Sequence, residues 1–279
     1  MSITEKIQTR NALYQKFEVL KTNRNKRYKY QEFIVEGVRN INECIEKGWE
    51  IASILYTREL PLSDWAQTII QTTHSEKNYE LTAELMRALS DKEDTSELLL
   101  VVKMRNDELN LNEFSKNPVV ALFDRPSNKG NLGTVIRSCD ALGVECLIVS
   151  GHSVDIYEPA VITSSMGSFF NLKIVRMPEN QMVFEFIRKM KKQYPTFQVI
   201  GTTAHKEYPL YELDLSTPVM FMIGNETDGL CHAFKDTCDL LGTIPMAQTS
   251  YASSFNVGCA ATVMFYEAAR QRQQYGAFD

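Results

Sequence analysis

The stretch "FMIGNETDGL", residues 221–230, joins the end of an apolar run to a short polar loop. The run begins at Val219 and stays apolar up to Gly224, which is typical of a strand buried on both faces of a sheet. Gly224 and Gly229 bracket the loop, and glycine permits both a positive φ and a close approach of other groups. The pair therefore predicts a loop of defined shape. Glu226 within it would either cap the next helix or be oriented into a site, and the pattern leaves both open.

Similar apolar runs recur through the carboxyl-terminal part of the chain. They are "VVALFD", "ECLIVS", "LKIVRM", "FQVIGTT", "VMFMIG" and "GTIPM". Helical stretches separate these runs, and this alternation predicts an α/β fold whose parallel sheet is covered on both faces. Ligands in such sheets bind where loops leave the carboxyl ends of the strands. We therefore expect a site in the loops that follow these runs.

The amino-terminal part predicts a smaller α/β unit. A surface helix is predicted over 7–19. After it, "FIVEGVRNINECIEKGWEIASILYT" predicts a short strand, a helix and a second strand at "IASILY". Helices around "LSDWAQTIIQTT" and "LTAELMRALS" then lead to a strand at "ELLLVVKM". Residues 105–117 are polar and without periodicity, as is typical of a linker. The predicted organisation is thus a first domain over 1–104, a linker over 105–117 and a second domain over 118–279.

The composition indicates a globular protein. Of the 279 residues, 44% are hydrophobic, which is enough to build a sizeable core. The first residues lack an apolar segment of the signal-peptide type, and the apolar runs are shorter than a membrane span, so a cytoplasmic location is expected. The six cysteines form no CxxC pair and the four histidines are scattered, so no metal is expected.

Charge is unevenly distributed along the chain. Residues 1–30 hold eight Lys and Arg against two Glu, a net charge of +6, so the other 249 residues carry −11 of the total of −5. The cations are Lys6, Arg10, Lys16, Lys21, Arg24, Lys26, Arg27 and Lys29. A basic segment on an acidic protein indicates either contact with nucleic acid or a solvated helix face, and charge alone does not choose between them.

Two more loops carry unusual residues at the ends of apolar runs. In 123–144, turn residues precede a helix whose outward face carries Arg137, either as a functional group or as a solvated arginine. In 244–271, Ser253 and Ser254 are plausible N-cap residues. The small residues 258–262 permit another helix to approach closely, within one chain or across a dimer.

The three loops together resemble the three motifs of the SpoU, or TrmH, family of RNA ribose 2'-O-methyltransferases. The matching residues are Asn131, Gly133, Arg137 and Gly143; Gly224, Asn225, Glu226, Gly229 and Leu230; and Ile244, Pro245, Met246, Ser254, Asn256, Val257 and Ala260. The chain departs from the motifs in having Phe255 in place of Leu, Asn128-Lys129 in place of Asp-Pro, and a slightly long 247–253 stretch. The amino-terminal region resembles the ribosomal-protein-like RNA-binding domain of the family.

The resemblance implies a trefoil-knotted methyltransferase domain, a homodimer with shared sites, and S-adenosylmethionine as cofactor. The implied catalytic residues are Arg137, Asn131, Glu226, Ser254 and Asn256. The implied cofactor-binding residues are Thr202, Gly224, Ile244, Met246 and Phe255, with the glycines making room for backbone contacts to the cofactor. With an RNA substrate, the basic segment 1–30 becomes the expected RNA contact, and the RNA-binding residues expected in it are Arg24, Lys26, Arg27 and Lys29.

Among RNA substrates, 23S-type ribosomal RNA is expected first and transfer RNA second. A non-catalytic RNA-binding or assembly protein of the same fold is the alternative in another class, and lack of cofactor binding would identify it. A nucleotide-dependent oxidoreductase is disfavoured, because the glycine fingerprint of that fold is missing.

Overall fold

The computed structural model describes residues 3–92, 94–203 and 207–272. The strands are, in chain order, β1 Thr4–Ile7, β2 Glu32–Glu36, β3 Ile51–Tyr56, β4 Lys77–Leu81, β5 Leu98–Lys103, β6 Val119–Asp124, β7 Cys146–Ser150, β8 Lys173–Met177, β9 Gln198–Thr202, β10 Tyr208–Pro209, β11 Val219–Ile223 and β12 Leu240–Thr243. The helices are α1 Ala12–Thr22, α2 Arg24–Tyr30, α3 Val38–Glu46, α4 Asp64–Thr72, α5 Ala83–Leu89, α6 Lys129–Ala141, α7 Pro159–Ser165, α8 Asn180–Gln193, α9 His232–Lys235 and α10 Val257–Gln271. In this part of the chain no helix is long and apolar enough to cross a membrane.

The chain forms two compact units. The first comprises residues 1–105 together with 155–171, and the second comprises 106–154 and 172–279. The predicted domain ranges remain predictions, and their outer ends, 1–2 and 273–279, lie outside the described residues. The grouping differs from those ranges at 155–171, since α7 packs on β2 and Phe169 and Phe170 stack on Trp49.

The first unit is built on a mixed sheet in the order β1-β4-β3-β5-β2. Strands β1, β4 and β3 run parallel, whereas β5 is antiparallel to both β3 and β2. Helix α1 places Tyr14, Phe17 and Leu20 against the apolar side chains of this sheet. The small α/β unit expected from the sequence is confirmed in this respect.

The predicted surface helix over 7–19 is wrong at its start. Ile7 ends β1 and pairs with Leu81, and α1 begins only at Ala12. The reason is local, because the Asn11 side chain accepts a hydrogen bond from the backbone N–H of Tyr14 at 2.9 Å and so caps the helix there.

The second unit is built on a parallel sheet in the order β10-β12-β9-β11-β6-β7-β8. Alternate residues of its strands face opposite sides: Val120 and Leu122 join a core with α8, and Phe221 packs against Phe265 of α10 at 5.9 Å between ring centroids. The predicted parallel sheet with helices on both faces is confirmed. The strand expected at "GTIPM" lies instead at β12, Leu240–Thr243, so Ile244 falls in the loop beyond it.

The basic amino-terminal segment is folded into the first unit, and many of its cations are paired. Lys16 lies 2.6 Å from Glu32, and Lys21 lies 2.6 Å from Asp91. Lys6 also pairs with a carboxylate of the same unit. These ion pairs make the segment part of a folded domain and reduce the charge that it offers to a nucleic acid.

Arg27 is fully buried, at 0% exposure. Its Nε donates to Asp155 and its Nη2 to Glu158, each at 2.7 Å, and its Nη1 donates to the carbonyl oxygens of Leu20 and Lys21, each at 3.0 Å. The prediction of an RNA contact for Arg27 is therefore corrected, because its guanidinium has no access to a ligand. It joins α2 to the 155–171 segment instead.

Replacement of Arg27 by Met should destabilise the first unit strongly. Asp155 would remain buried without its cation, and breaking a buried ion pair from one side typically costs about 3–5 kcal/mol. The free energy of unfolding, measured by urea titration, checks this. Lys29→Met is the control, since it removes the same charge from an exposed position on α2 and should change stability by about 0.5 kcal/mol or less. Equal stability of the two variants would contradict this role for Arg27.

Candidate active site

A cavity of about 570 Å³ lies in the second unit, at the carboxyl ends of the parallel strands. The loops after β9, β11 and β12 and the start of α10 form its wall. The predicted site residues that line it are Asn131, Thr202, Gly224, Glu226, Ile244, Met246, Ser254, Phe255 and Asn256. Three segments that are far apart in the sequence are thus brought together at one edge of the sheet.

The loop after β11 closes on itself. Asn225 and Gly229 exchange two backbone hydrogen bonds at 3.1 and 3.0 Å, and the Asn225 side chain accepts from the backbone N–H of Thr227 at 2.8 Å. A Cβ on Gly224 would lie 2.2 Å from the backbone nitrogen of Leu230, so only glycine fits there. The missing Cβ of Gly224 thus leaves room for the loop's own backbone, and its expected contact with the cofactor stays a prediction. Gly229 is needed for its φ of +69°.

The Glu226 carboxylate binds the segment that begins α6. Its Oε2 accepts from the backbone N–H and the hydroxyl of Ser127, at 3.1 and 2.8 Å. Its Oε1 accepts from the backbone N–H of Asn128 at 3.1 Å and from the side-chain amide of Asn131 at 3.3 Å. Partial burial opposes ionisation of Glu226, but the hydrogen bonds from Ser127 and Asn131 outweigh it and lower its pKa. The carboxylate therefore joins the loop after β11 to the segment that begins α6, and it does so at the wall of the cavity.

Asn131 and Asn256 connect α6 to α10. The Asn256 amide donates to the Asn131 side-chain oxygen at 3.1 Å, while the Asn256 oxygen accepts from the backbone N–H of Gly258 at 2.9 Å. Asn256 is therefore the N-cap of α10, and the expectation that Ser253 or Ser254 caps this helix is wrong. Ser254 is left exposed at the wall of the cavity.

Helices α6 and α10 pack closely through small residues. A Cβ on Gly258 would lie 2.9 Å from a methyl carbon of Thr134, and the hydroxyls of Ser138 and Thr262 are 2.7 Å apart. The small residues of 258–262 thus serve a contact within one chain. A further face of α10 remains exposed, with Val263 at 40% and Tyr266 at 49%.

Sequence reasoning missed the pair Asp124 and Arg125 at the end of β6. Asp124 is buried and accepts from the backbone N–H of Cys231 at 2.9 Å and from the Ser150 hydroxyl at 3.1 Å. Arg125 has a φ of +48°, binds Asp124, and accepts the Asn225 amide on its carbonyl oxygen at 2.6 Å. The signal in the sequence was Asp124 itself, a carboxylate at the end of an otherwise apolar strand.

Arg137 does not line the cavity of its own chain. Val135, Ile136 and Cys139 of α6 are buried, whereas Arg137 is exposed together with Thr134, as the helix periodicity predicts. In the described part of the chain, no hydrogen bond or ion pair holds its guanidinium. The arginine thus lies exposed on the surface of α6.

The remaining predicted RNA contacts lie on α2 in the first unit. Lys29 is exposed, Lys26 is half-buried, and the Arg24 guanidinium stacks on the Tyr28 ring at 5.6 Å from its centroid. For metals, residues 3–92, 94–203 and 207–272 contain no group of three or more His, Cys, Asp or Glu side chains placed to hold an ion.

The lowered pKa of Glu226 predicts an acid-dependent contribution to stability. Because the folded pKa lies below the usual 4.5, the contribution is complete above that value and is lost as pH falls through the folded pKa. The stability advantage of wild type over Glu226→Gln should therefore shrink on acidification, as checked by urea unfolding between about pH 7 and pH 3. Glu212→Gln, at an exposed position, serves as control. An advantage that stays constant with pH would contradict the prediction.

Two family models match the chain in order. The SpoU L30e-like domain matches residues 11–101, and the SpoU rRNA Methylase family matches residues 118–266. The resemblance of the amino-terminal region to a ribosomal-protein-like domain is confirmed by the first match.

Individual relatives are similar over nearly the whole chain. A 23S rRNA (uridine(2479)-2'-O)-methyltransferase of Streptomyces viridochromogenes is 38% identical over 268 residues, which cover 96% of this chain and 92% of the relative. The 23S rRNA (guanosine(2553)-2'-O)-methyltransferase RlmP of Bacillus subtilis is 26% identical, with 94% and 95% covered.

Solved structures agree with these sequence matches. The crystal structure of the SpoU methyltransferase AviRb from Streptomyces viridochromogenes in complex with the cofactor AdoMet superposes with a TM-score of 0.89 at 38% identity, covering 96% of this chain and all of that one. A second structure, of an RNA 2'-O ribose methyltransferase, gives a TM-score of 0.79 at 28% identity, with 96% and 100% covered. The order of the two domains, the parallel sheet and the three loops around one cavity all agree: this chain belongs to the SpoU rRNA methylase family.

Proposed function

We propose that this chain transfers a methyl group from S-adenosylmethionine to a ribose 2'-hydroxyl of 23S ribosomal RNA. The observation that carries the proposal is the cavity, which gathers every residue expected to bind the cofactor with all but one of those expected to act on the RNA. The relative that is 38% identical over 96% of the chain is named for this reaction on 23S rRNA. The proposal includes a cytoplasmic location, where such a substrate would be met.

The cavity fits the cofactor in size and lining. Its volume lies within the range of about 300–1,000 Å³ typical of small-molecule sites. Ile244, Met246 and Phe255 supply apolar surface for a purine ring, while Thr202 and the backbone at Gly224 supply polar groups. S-adenosylmethionine provides an electrophilic methyl group, and the protein must align the acceptor hydroxyl and manage its proton.

The polar side chains around the cavity are of two kinds: those held by hydrogen bonds to one another, and one that is able to bind a ligand. Glu226, Asn131 and Asn256 are held in mutual hydrogen bonds, so they fix the shape of the wall. Ser254 lines the same wall, and within the described residues its hydroxyl makes no hydrogen bond. Ser254 is therefore the side chain best placed to bind a ribose hydroxyl.

A homodimer would bring Arg137 to the reaction. Its guanidinium lies on an exposed face of α6, and α10, which packs on α6, exposes Val263 and Tyr266. Pairing of these faces between two subunits would cover the apolar side chains and place Arg137 at the cavity of the other subunit. A guanidinium keeps its proton in proteins, so Arg137 binds phosphate and stabilises the forming alkoxide instead of acting as a base.

The proposal includes a trefoil knot in the second unit. Its support is the path of the chain from β12 to α10, since the last residues of α10 and Arg272 lie against the 213–217 segment. There the Gln271 side chain donates to the carbonyl oxygen of Leu213 and accepts from the N–H of Leu215, and Arg272 donates to the carbonyl oxygen of Asn117.

The first unit would hold the structured RNA. Its match to an L30e-like domain supports this role, and Arg24, Lys26 and Lys29 on α2 are the cations that remain for phosphate contacts. Arg27 is excluded from this set by its burial. Affinity that rests on such contacts falls steeply as salt is added.

Methyl transfer from labelled S-adenosylmethionine tests the proposal. The purified protein is incubated with separate 23S ribosomal and transfer RNA fractions from cells that lack its gene, and the labelled nucleosides are identified after digestion. Label in a 2'-O-methyl nucleoside of 23S RNA is the expected result. Label in transfer RNA alone would show that transfer RNA, and not 23S RNA, is the substrate. Absence of both label and cofactor binding would indicate a non-catalytic RNA-binding protein.

Arg137→Ala tests the catalytic assignment within the same assay. Loss of an electrostatic group that acts in the transition state typically lowers kcat by about 100-fold or more, while cofactor affinity should stay unchanged. The control is Arg188→Ala, which removes an exposed arginine from α8. Wild-type transfer by Arg137→Ala would contradict the assigned role.

A further inference from the structure

The cavity wall contains charged side chains of both signs. Among the described residues that line it, these are Glu226, Asp228 and Lys235. Glu226 is committed to the segment that begins α6, as described above. Asp228 is 69% exposed, and its carboxylate lies 3.9 Å from the Arg125 guanidinium. Lys235 thus supplies the positive charge of the described lining.

Lys235 is carried by a short helix that is firmly anchored. In α9, Phe234 is fully buried and packs edge-on against Phe184 at 5.9 Å between ring centroids. The backbone N–H of Cys231, just before the helix, is held by the buried Asp124 at 2.9 Å. Because the residue before it is fixed in the core, the start of the Lys235 side chain is fixed at the cavity.

The Lys235 ammonium is unpaired in the part of the chain that the structure describes. The side chain is half-buried, yet within residues 3–92, 94–203 and 207–272 no hydrogen bond or ion pair reaches it. A cation that is partly removed from water loses hydration free energy, and the interaction with a bound anion compensates for that loss. The position therefore favours an anionic group inside the cavity.

We propose that Lys235 binds the carboxylate of the cofactor's amino-acid tail. The inference rests on the proposed use of S-adenosylmethionine, whose tail carries one carboxylate. A charge-assisted hydrogen bond from an ammonium to a carboxylate is about twice as strong as a neutral one. A phosphate of the RNA backbone is the less suitable anion, because Lys235 is half-buried in the lining of the cavity instead of standing on an open surface.

Calorimetric titration with two ligands tests this assignment. S-adenosylhomocysteine keeps the amino-acid tail, whereas 5'-methylthioadenosine has the same nucleoside and thioether without it. Lys235→Gln should bind S-adenosylhomocysteine about ten-fold more weakly and 5'-methylthioadenosine as wild type does. Lys189→Gln, which removes an exposed lysine of α8, should leave both Kd values unchanged. If Lys235→Gln does not fold, Lys235→Ala is titrated in its place, and Lys235→Arg should retain most of the preference for the tail.

Each other outcome has a separate meaning. Equal weakening of both ligands, or weakening of neither, would overturn the role of Lys235 in binding the carboxylate. Loss of RNA affinity with unchanged S-adenosylhomocysteine affinity would overturn it in favour of a phosphate contact. Failure of the wild-type protein to bind S-adenosylhomocysteine would contradict the proposed function itself, so the two failures are distinguishable.

Discussion

The hydrogen bonds accepted by Glu226 connect the loop after β11 to the start of α6, and the shape of the cavity depends on them. Both carboxylate oxygens are used, by Ser127 on one side and by Asn128 and Asn131 on the other. Asn131 then accepts from Asn256 at the start of α10. Through this chain of contacts, one carboxylate joins the start of α6 to the loop after β11 and to the start of α10, both of which lie far from α6 in the sequence.

A second group of contacts fixes the backbone beneath that carboxylate. Asp124 is buried at the end of β6 and binds both Ser150 at the end of β7 and the backbone beyond Leu230. Arg125 then receives the Asn225 amide on its carbonyl oxygen. Because Gly224 lacks a Cβ, the loop can fold back onto its own backbone and present Glu226 to α6. The glycine and the acid of the loop therefore have linked roles, one giving the shape and the other the attachment.

The features that could be predicted from the sequence are those that depend on a local pattern of residues. Continuous apolar runs identified the parallel strands, and the helix period placed Arg137 outward. Most of the cavity wall followed from the resemblance of three motifs to a family. Asn128, noted as a departure from the family motif, caps α6 by accepting from the N–H of Asn131 at 2.9 Å.

The sequence could not predict what depends on distant partners. Arg27 belongs to a basic run, but its carboxylates come from Asp155 and Glu158, well over a hundred residues away, and they bury it. The α10 cap was assigned to serines because the pattern gave no reason to prefer Asn256, two residues later. Likewise, the 155–171 segment joins the first unit through aromatic stacking on Trp49, which no local periodicity reveals.

The most direct test of the central claim is a double-mutant cycle on S-adenosylhomocysteine affinity with Glu226→Gln and Asn256→Ala. These side chains are joined through Asn131, so the account predicts that the two losses do not add and that the coupling lies within about 0.5–3 kcal/mol. Asn256→Ala also removes the cap of α10, but this effect is the same in the single and the double variant and therefore cancels from the coupling free energy. Additive effects, within about 0.3–0.5 kcal/mol, would contradict the claim that Glu226, Asn131 and Asn256 act as one unit.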